Sequence, residues 1–376
     1  MSATTLVRRC PDSASVPIPL LVYRDRIGTP SEIQFLRRQY VGFTRLAPVW
    51  VGRHIMPLAT QLGGTVTQLG SSWLARALFR QFGIAPRLEI GRTAPVLHAQ
   101  FARGGALALP LARARGLRMV VTLWGGDVSK AKNWRGTVQA RRWPEVVAAT
   151  ARFVCVSAAI AEMALARQVP GEKLVVVPIG AEIPAAAPPP PTSPTYHLFV
   201  GRFVAKKGIQ DIADAVRRLR ASGDATPVVF VGDGPLRAIL EALARDVPGV
   251  ELAGWLPPEQ VRVRMAQAWS LLVPSVVAPN GDAEGLPSVI PEAMAQGCAV
   301  IGTDEGGVAE AVRHEQTGLL VPARNATALA DAMHRLVAQP ALRDSLALAG
   351  FDYARRALNA HTQSVALEHL LLEVGA

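Results

Sequence analysis

The stretch from Trp269 to Gly307 constrains this chain more than any other. An apolar run, Trp269-Ser-Leu-Leu-Val-Pro-Ser275, precedes a loop and a helical pattern, Asp282-Ala-Glu284-Gly-Leu-Pro-Ser-Val-Ile-Pro-Glu292-Ala-Met-Ala-Gln-Gly297. A second apolar run, Ala299-Val-Ile-Gly302, follows, and Glu305-Gly306-Gly307 opens another helix. Strand, glycine loop, helix and strand form a βαβ unit, in which ligands sit at the carboxyl ends of parallel strands. Pro287 is tolerated in a first helical turn, where its missing N–H has no partner to lose, so the spacing to Gly297 predicts a helix of roughly ten residues. Its N-terminus would attract an anion. Glu284 falls just before that helix and Glu292 about a turn and a half into it. Carboxylates accept hydrogen bonds and donate none, so the pair suits a ligand carrying both phosphates and hydroxyls. On these residues alone, capping and solvation remain an open alternative.

At 376 residues, half of them hydrophobic, the chain is long enough for two domains with separate cores. Strand patterns at 18–23, 47–51, 95–98, 117–123, 153–156 and 174–177 alternate with helical patterns at 31–41, 71–82, 105–115 and 157–168. Such alternation predicts a parallel sheet covered on both faces. The proline run between Pro184 and Pro194 cannot continue a helix or a central strand and reads as a semi-rigid spacer. Beyond it the pattern restarts, with strands at 196–200 and 228–231 and helices at 209–220 and 236–245. The expected organisation is a first domain over 1–184, a linker over 185–194, a second domain over 195–345 and a helical tail over 346–376.

Gly201-Arg202-Phe-Val-Ala-Lys206-Lys207-Gly208 follows the first strand of the second unit. Together with EGLPSVIPEAMAQGCAVIGTDEGGVAEAV, it resembles the GR(x)4KG and E(x)7E motifs of the retaining family 4 glycosyltransferases. The resemblance covers most of residues 18–340 and is strongest from 198 to 312. It implies an α/β chain of the GT-B type, two Rossmann-like domains whose parallel sheets face each other across a cleft. It also implies a nucleoside-diphosphate sugar as co-substrate, with no metal or other cofactor. Arg202 and Lys207 would bind the diphosphate beside the Gly201, Gly285, Leu286 and Pro287 backbone, Glu292 the ribose hydroxyls and Glu284 the transferred sugar. Asp282 is divided between a place near the sugar and a solvated loop. Gly232-Asp-Gly234 lacks the third glycine of a dinucleotide fingerprint and is expected to be a structural turn.

The first domain carries the main departure from that family. Val121-Thr-Leu-Trp124-Gly-Gly-Asp127 aligns with a T-x-H-G-x-D segment whose histidine contacts the donor sugar near its 6-hydroxyl. Indole donates one hydrogen bond and cannot exchange a proton near neutral pH. Front-face displacement, in which the departing diphosphate takes the acceptor proton, does not need that histidine. Trp124 is therefore read as an apolar wall near C6, favouring a donor without a 6-hydroxyl, with plain packing at a strand end as the alternative. Asp127 is expected to orient the acceptor, and His98, in an HxHF-like element, to lie on the acceptor side or to be a structural hydrogen-bonder. Gly28 and Ser31 stand at the loop and helix start that approach donor phosphates or acceptor in relatives.

Charge is uneven along the chain. Residues 1–184 hold 24 Lys and Arg against 9 Asp and Glu, a balance of +15, while the remainder holds 16 against 20, a balance of −4. A basic acceptor domain suits an anionic membrane surface or a lipid-linked glycan acceptor. No helix-turn-helix, zinc-finger or RRM signature accompanies the charge, so nucleic acid is not an expected partner. Cys10, Cys155 and Cys298 form neither a metal spacing nor a disulfide framework, and no secretory or membrane-spanning run is evident. The expected location is cytoplasmic, free or peripheral on the inner membrane face. The expected activity is sugar transfer in bacterial polysaccharide assembly, with a sugar-nucleotide binding protein of weak or no transferase activity as the alternative and a nucleic-acid binder behind both.

Overall fold

The computed structural model describes residues 16–69, 72–82, 88, 93–129, 134, 136–189 and 196–376. Two parallel sheets dominate it. The first is formed by β1 (Ile18–Tyr23), β2 (Leu46–Gly52), β3 (Thr65–Gln68), β4 (Val96–Gln100), β5 (Arg118–Leu123), β6 (Thr150–Cys155) and β7 (Leu174–Val176), in the order β3-β2-β1-β4-β5-β6-β7. The second is formed by β8 (His197–Val200), β9 (Val228–Val231), β10 (Val250–Gly254), β11 (Ser270–Val273), β12 (Ala299–Thr303) and β13 (Leu319–Val321), ordered β10-β9-β8-β11-β12-β13. Each sheet reverses direction of growth beside its first strand. That switch point is where doubly wound sheets open a crevice for a ligand.

The strands are apolar runs because both faces of each sheet are covered. Alternate residues of β1 feed separate cores: Leu21 and Tyr23 pack on one face with Leu97 and Val121, and Leu20 and Val22 on the other with Val96 and Val120. Phe199, Val228 and Phe230 likewise separate from Leu198, Val229 and Val231. The expected GT-B class is therefore the observed one.

Several elements differ from their sequence reading. The helix expected from 105 begins at Phe101, because Gly104-Gly105 is not a break: a β-carbon on Gly105 would lie 3.0 Å from Val121 Cγ2, so glycine lets the helix lie close on β5. The tail is two helices, Pro340–Ala357 and Ala360–Gly375, and Asn359 caps the second through the N–H groups of His361 and Thr362. This last helix lies on the first domain, against the Pro30–Tyr40 helix, β4 and β5. The buried Glu368 fixes it there by accepting the N–H groups of Thr44, Arg45 and Leu46 at 2.9, 2.7 and 2.8 Å. Residues 1–15 of the expected first domain and the linker residues 190–194 lie outside the described residues. Among the described residues no helix is long and apolar enough to cross a membrane.

Candidate active site

A cavity of about 630 Å³ opens between the domains at the switch point of the second sheet. The loops after β8 and β11 supply one side of it: Gly201, Arg202, Lys206 and Lys207 from the former, and Glu284, Leu286, Pro287 and Glu292 from the latter. The first domain supplies the other through Pro30, Gln34, Phe35 and Arg38 on its first helix and through Trp124. Trp255, Leu256 and Arg262 extend the second domain's side below β10.

Charge is concentrated at Glu284. Lys206 Nζ and Lys207 Nζ each lie 3.2 Å from its Oε1, and Lys206 Nζ also lies 3.3 Å from Asp282 Oδ1. Burial pushes the Glu284 carboxyl up, but the Lys207 and Lys206 ammoniums outweigh it and hold it below its ordinary value. Glu284 Oε1 is buried beneath the two ammoniums, so this oxygen is committed to the lysines. Arg202 is exposed at the cavity wall. Lys206 was not among the residues expected to bind, although its position next to Lys207 was a signal for it. Asp282 is buried and pairs with Lys206, so it is not a solvated loop residue, and it is not among the residues lining the cavity.

The helix after the loop is shorter than its spacing predicts. It runs over Val289–Ala295, with Ser288 rather than the Pro287 region at its cap, so Glu292 stands in its first turn. In its first turn Ile290 N–H is bound to Pro287 O at 3.0 Å and Pro291 has no N–H, while the N–H groups of Ser288 and Val289, both in the cavity lining, have no acceptor among the described residues. The N–H groups of Gly285 and Leu286 also donate to no acceptor among the described residues, and of the two Leu286 lines the cavity. Glu292 forms an ion pair with Arg38 of the first domain through Arg38 Nη1 and Glu292 Oε1.

The two domains meet tightly beside this pocket. A β-carbon on Gly285 would lie 2.4 Å from the Trp124 carbonyl oxygen. Leu286 packs on hydrophobic residues of both domains, and Ala283 N–H donates to Ser129 Oγ at 3.3 Å. Gly232 has a structural role, since a β-carbon there would lie 2.0 Å from Gly201 O.

Trp124 is the half-buried centre of an aromatic wall. Its ring stacks on Phe101 at 5.8 Å and tilts against Phe35 at 4.8 Å between centroids. Its indole N–H is spent on Gln100 Oε1 at 2.9 Å, leaving apolar ring to face the cavity. Gln100 continues inward. Its amide donates to Tyr40 OH at 2.8 Å, Tyr40 OH meets His98 Nδ1 at 2.7 Å, and His98 Nε2 meets Thr122 Oγ1 at 2.7 Å. Both ring nitrogens of His98 are therefore occupied within this network. Burial pushes His98 down to about 3, which keeps it neutral.

Three expectations are corrected by these positions. His98 is fully buried in β4 and serves this network, so it does not reach an acceptor. Asp127 accepts the N–H groups of Ala102, Trp124 and Gly125 at 2.9, 3.0 and 2.8 Å, so it shapes the Trp124 turn and is no catalytic group. Gly28 donates to Glu32 Oε2 at 3.1 Å, lies against Met56 and is not among the residues lining the cavity. Ser31 stands in the first turn of the Pro30–Tyr40 helix, and that helix meets the cavity through Pro30, Gln34, Phe35 and Arg38. Periodicity alone would have found that i, i+4, i+8 face, but not what it faces. Among the described residues, no group of three His, Cys, Asp or Glu side chains could hold a metal ion.

Comparison with known proteins agrees with this geometry. Residues 22–180 match the Glycosyl transferase 4-like domain and residues 194–339 the family Glycosyl transferases group 1. The putative colanic acid biosynthesis glycosyltransferase WcaL of Escherichia coli is 36% identical over 169 residues, 43% of this chain and 41% of WcaL. The chain thus spans less than half the length of that relative. The putative teichuronic acid biosynthesis glycosyltransferase TuaC of Bacillus subtilis is 30% identical over 290 residues, 71% of this chain and 69% of TuaC. Among solved structures, Anabaena HepE in complex with UDP-glucose superposes with a TM-score of 0.74 at 16% identity, covering 95% of this chain and 100% of HepE. With both domains matched and the alignment to TuaC running across them, this chain belongs to the group 1 glycosyltransferases.

Proposed function

We propose that the chain is a retaining glycosyltransferase that binds a nucleoside-diphosphate sugar in the interdomain cavity and transfers the sugar to a hydroxyl of a glycan or lipid-linked acceptor. The observation that carries this is the convergence of Arg202, Lys206 and Lys207 with Glu284 and Glu292 in one cavity at a sheet switch point. Three cations suit a diphosphate, and they supply charge compensation for the departing group without a divalent ion. Glu284 and Glu292 accept from sugar and ribose hydroxyls. The exposed face of Trp255 offers the base a surface to stack on. In the transfer step the acceptor oxygen bonds to C1, the C1–phosphate oxygen bond breaks on the same face, and the acceptor proton passes to the departing diphosphate.

The relatives named for colanic acid, amylovoran and teichuronic acid biosynthesis support a role in bacterial polysaccharide assembly. Exposed Trp73, Leu74 and Phe82 in the basic domain support docking at an anionic membrane that carries a lipid-linked acceptor. A second reading, donor binding without transfer, is favoured by Trp124 alone. The experiment is a thermal-shift panel of UDP-, GDP- and dTDP-sugars with and without chelator, followed by transfer assays on extracted lipid-linked glycans. Binding to the native state raises its stability by mass action, so one nucleotide series should raise Tm equally in both conditions. No shift with any series would end the proposal, and a shift without transfer to any acceptor would establish the second reading.

A further inference from the structure

Arg38 is a cavity-lining side chain for which the nucleotide-sugar reading has no task. It stands on the Pro30–Tyr40 helix of the first domain, its side chain is only 6% exposed, and it borders Trp124. A buried guanidinium needs a counter-charge, and among the described residues its one ion pair is with Glu292 of the second domain. Its Nε is buried without an acceptor. Packing within the first domain therefore does not explain why this charge is buried here.

The consequence lies with Glu292. Arg38 takes Oε1, while Oε2 has no hydrogen bond among the described residues and is left to the cavity. A glutamate side chain has three rotatable bonds, so a carboxylate in a first helical turn beside solvent would otherwise sample several directions, at a cost on ligand binding. Arg38 and Glu292 are also on opposite domains, so the contact exists only when the domains are closed on each other. The geometry points to Arg38 as the positioning residue for Glu292: it fixes one carboxylate oxygen so that the other meets the ribose hydroxyls, and makes nucleoside recognition conditional on closure of the cleft. This rests on the reading of the cavity as a nucleotide-sugar site with Glu292 at the ribose.

The test compares two affinities in the same protein. UDP and GDP are titrated alongside their 2′,3′-dideoxy counterparts into the wild-type chain, Glu292→Ala, Arg38→Gln and Arg38→Lys. In the wild type the hydroxylated form of the preferred nucleotide should bind at least about tenfold more tightly than the dideoxy form, as a pair of hydrogen bonds to a charged acceptor allows. Glu292→Ala and Arg38→Gln should both collapse that ratio towards one while leaving dideoxy affinity within about threefold, which also reports that the fold is intact. Arg38→Lys, a single-point donor in place of a fork, should restore part of the ratio, and it carries the comparison where the glutamine variant is not folded. A ratio lost in Glu292→Ala but kept in Arg38→Gln or undiminished in Arg38→Lys overturns the positioning role alone. A wild-type ratio near one overturns the ribose reading itself.

Discussion

Lys207 Nζ and Glu284 Oε1 lie 3.2 Å apart, and Lys206 Nζ stands at the same distance from the same oxygen. The carboxylate thus neutralises the cations proposed to receive a diphosphate. Glu284→Gln separates its two roles. Removing the negative charge frees both lysines, so UDP or GDP affinity should rise several-fold. Transfer should fall by roughly 10²–10³-fold, because an amide oxygen is a weaker acceptor for a sugar hydroxyl than a carboxylate. Binding constants and single-turnover transfer rates measured on the same variant check this, and a parallel loss of both would mean that Glu284 only pins the lysines.

Gly285 has no room for a side chain against the Trp124 carbonyl oxygen, 2.4 Å from where a β-carbon would sit. Backbone on both sides must shift to admit one. Gly285→Ala should therefore displace the loop carrying Glu284 and lower transfer on the order of 100-fold, the scale expected for a misplacement of about 1 Å. The same β-carbon would lie 3.1 Å from Ile160 Cγ1 and Val156 Cγ2 of the first domain's core, so Tm should fall as well. Wild-type transfer by the alanine variant would show that the lobes do not meet this way during turnover.

The indole N–H of Trp124 is engaged by Gln100, so the ring presents apolar surface to the cavity. A donor lacking a 6-hydroxyl should be preferred over its 6-hydroxylated counterpart. Trp124→His should reverse that order by supplying a hydrogen-bonding edge. Competition between 6-deoxyhexose and hexose donors of one nucleotide measures the ratio, and a clear wild-type preference for the intact 6-hydroxyl would end the idea.

Acid should destabilise the protein through its buried imidazoles. Burial pushes His98 down to about 3 and His197 to about 4, against an ordinary value of about 6.5. Between those values the unfolded chain binds more protons than the folded one. The contribution is complete above about pH 6.5 and is lost as pH falls towards 3, at up to about 1.4 kcal/mol per pH unit for each group. His98→Asn should flatten this slope by about one proton's worth, read from denaturant midpoints between about pH 7 and pH 5. An unchanged slope would place the titration elsewhere.

What could be read from the sequence was what lies close together along it. Both Rossmann units follow from runs such as Leu20–Tyr23 and Val228–Val231, whose continuous apolarity needs two covered faces. The basic pair and the glutamates follow from motifs on two loops of one domain. What could not be read depends on the other domain. Arg38 is one charged residue on an amphipathic helix until Glu292 arrives opposite it. Asp127 beside two glycines looked like an acceptor ligand, but three backbone N–H groups converge on its carboxylate once the Trp124 turn closes. His98 ends an apolar strand in the sequence, and only the fold shows that Tyr40 and Thr122, distant along the chain, occupy both ring nitrogens. The short Val289–Ala295 helix also escaped, because Pro287 and Pro291 both suit a first turn and sequence spacing does not choose between them.

The central claim is that the basic side chains of the second domain receive a diphosphate in the cavity between the lobes. It is tested most directly by the dissociation constants of UDP and GDP for the wild-type chain and for the Arg202→Ala/Lys207→Ala double variant, at matched ionic strength. The wild type should bind one of the two nucleotides, and the double variant should bind it on the order of 100-fold more weakly, as expected for the loss of two charge-assisted contacts. Equal affinity in the two proteins, or no affinity in either, would contradict the account.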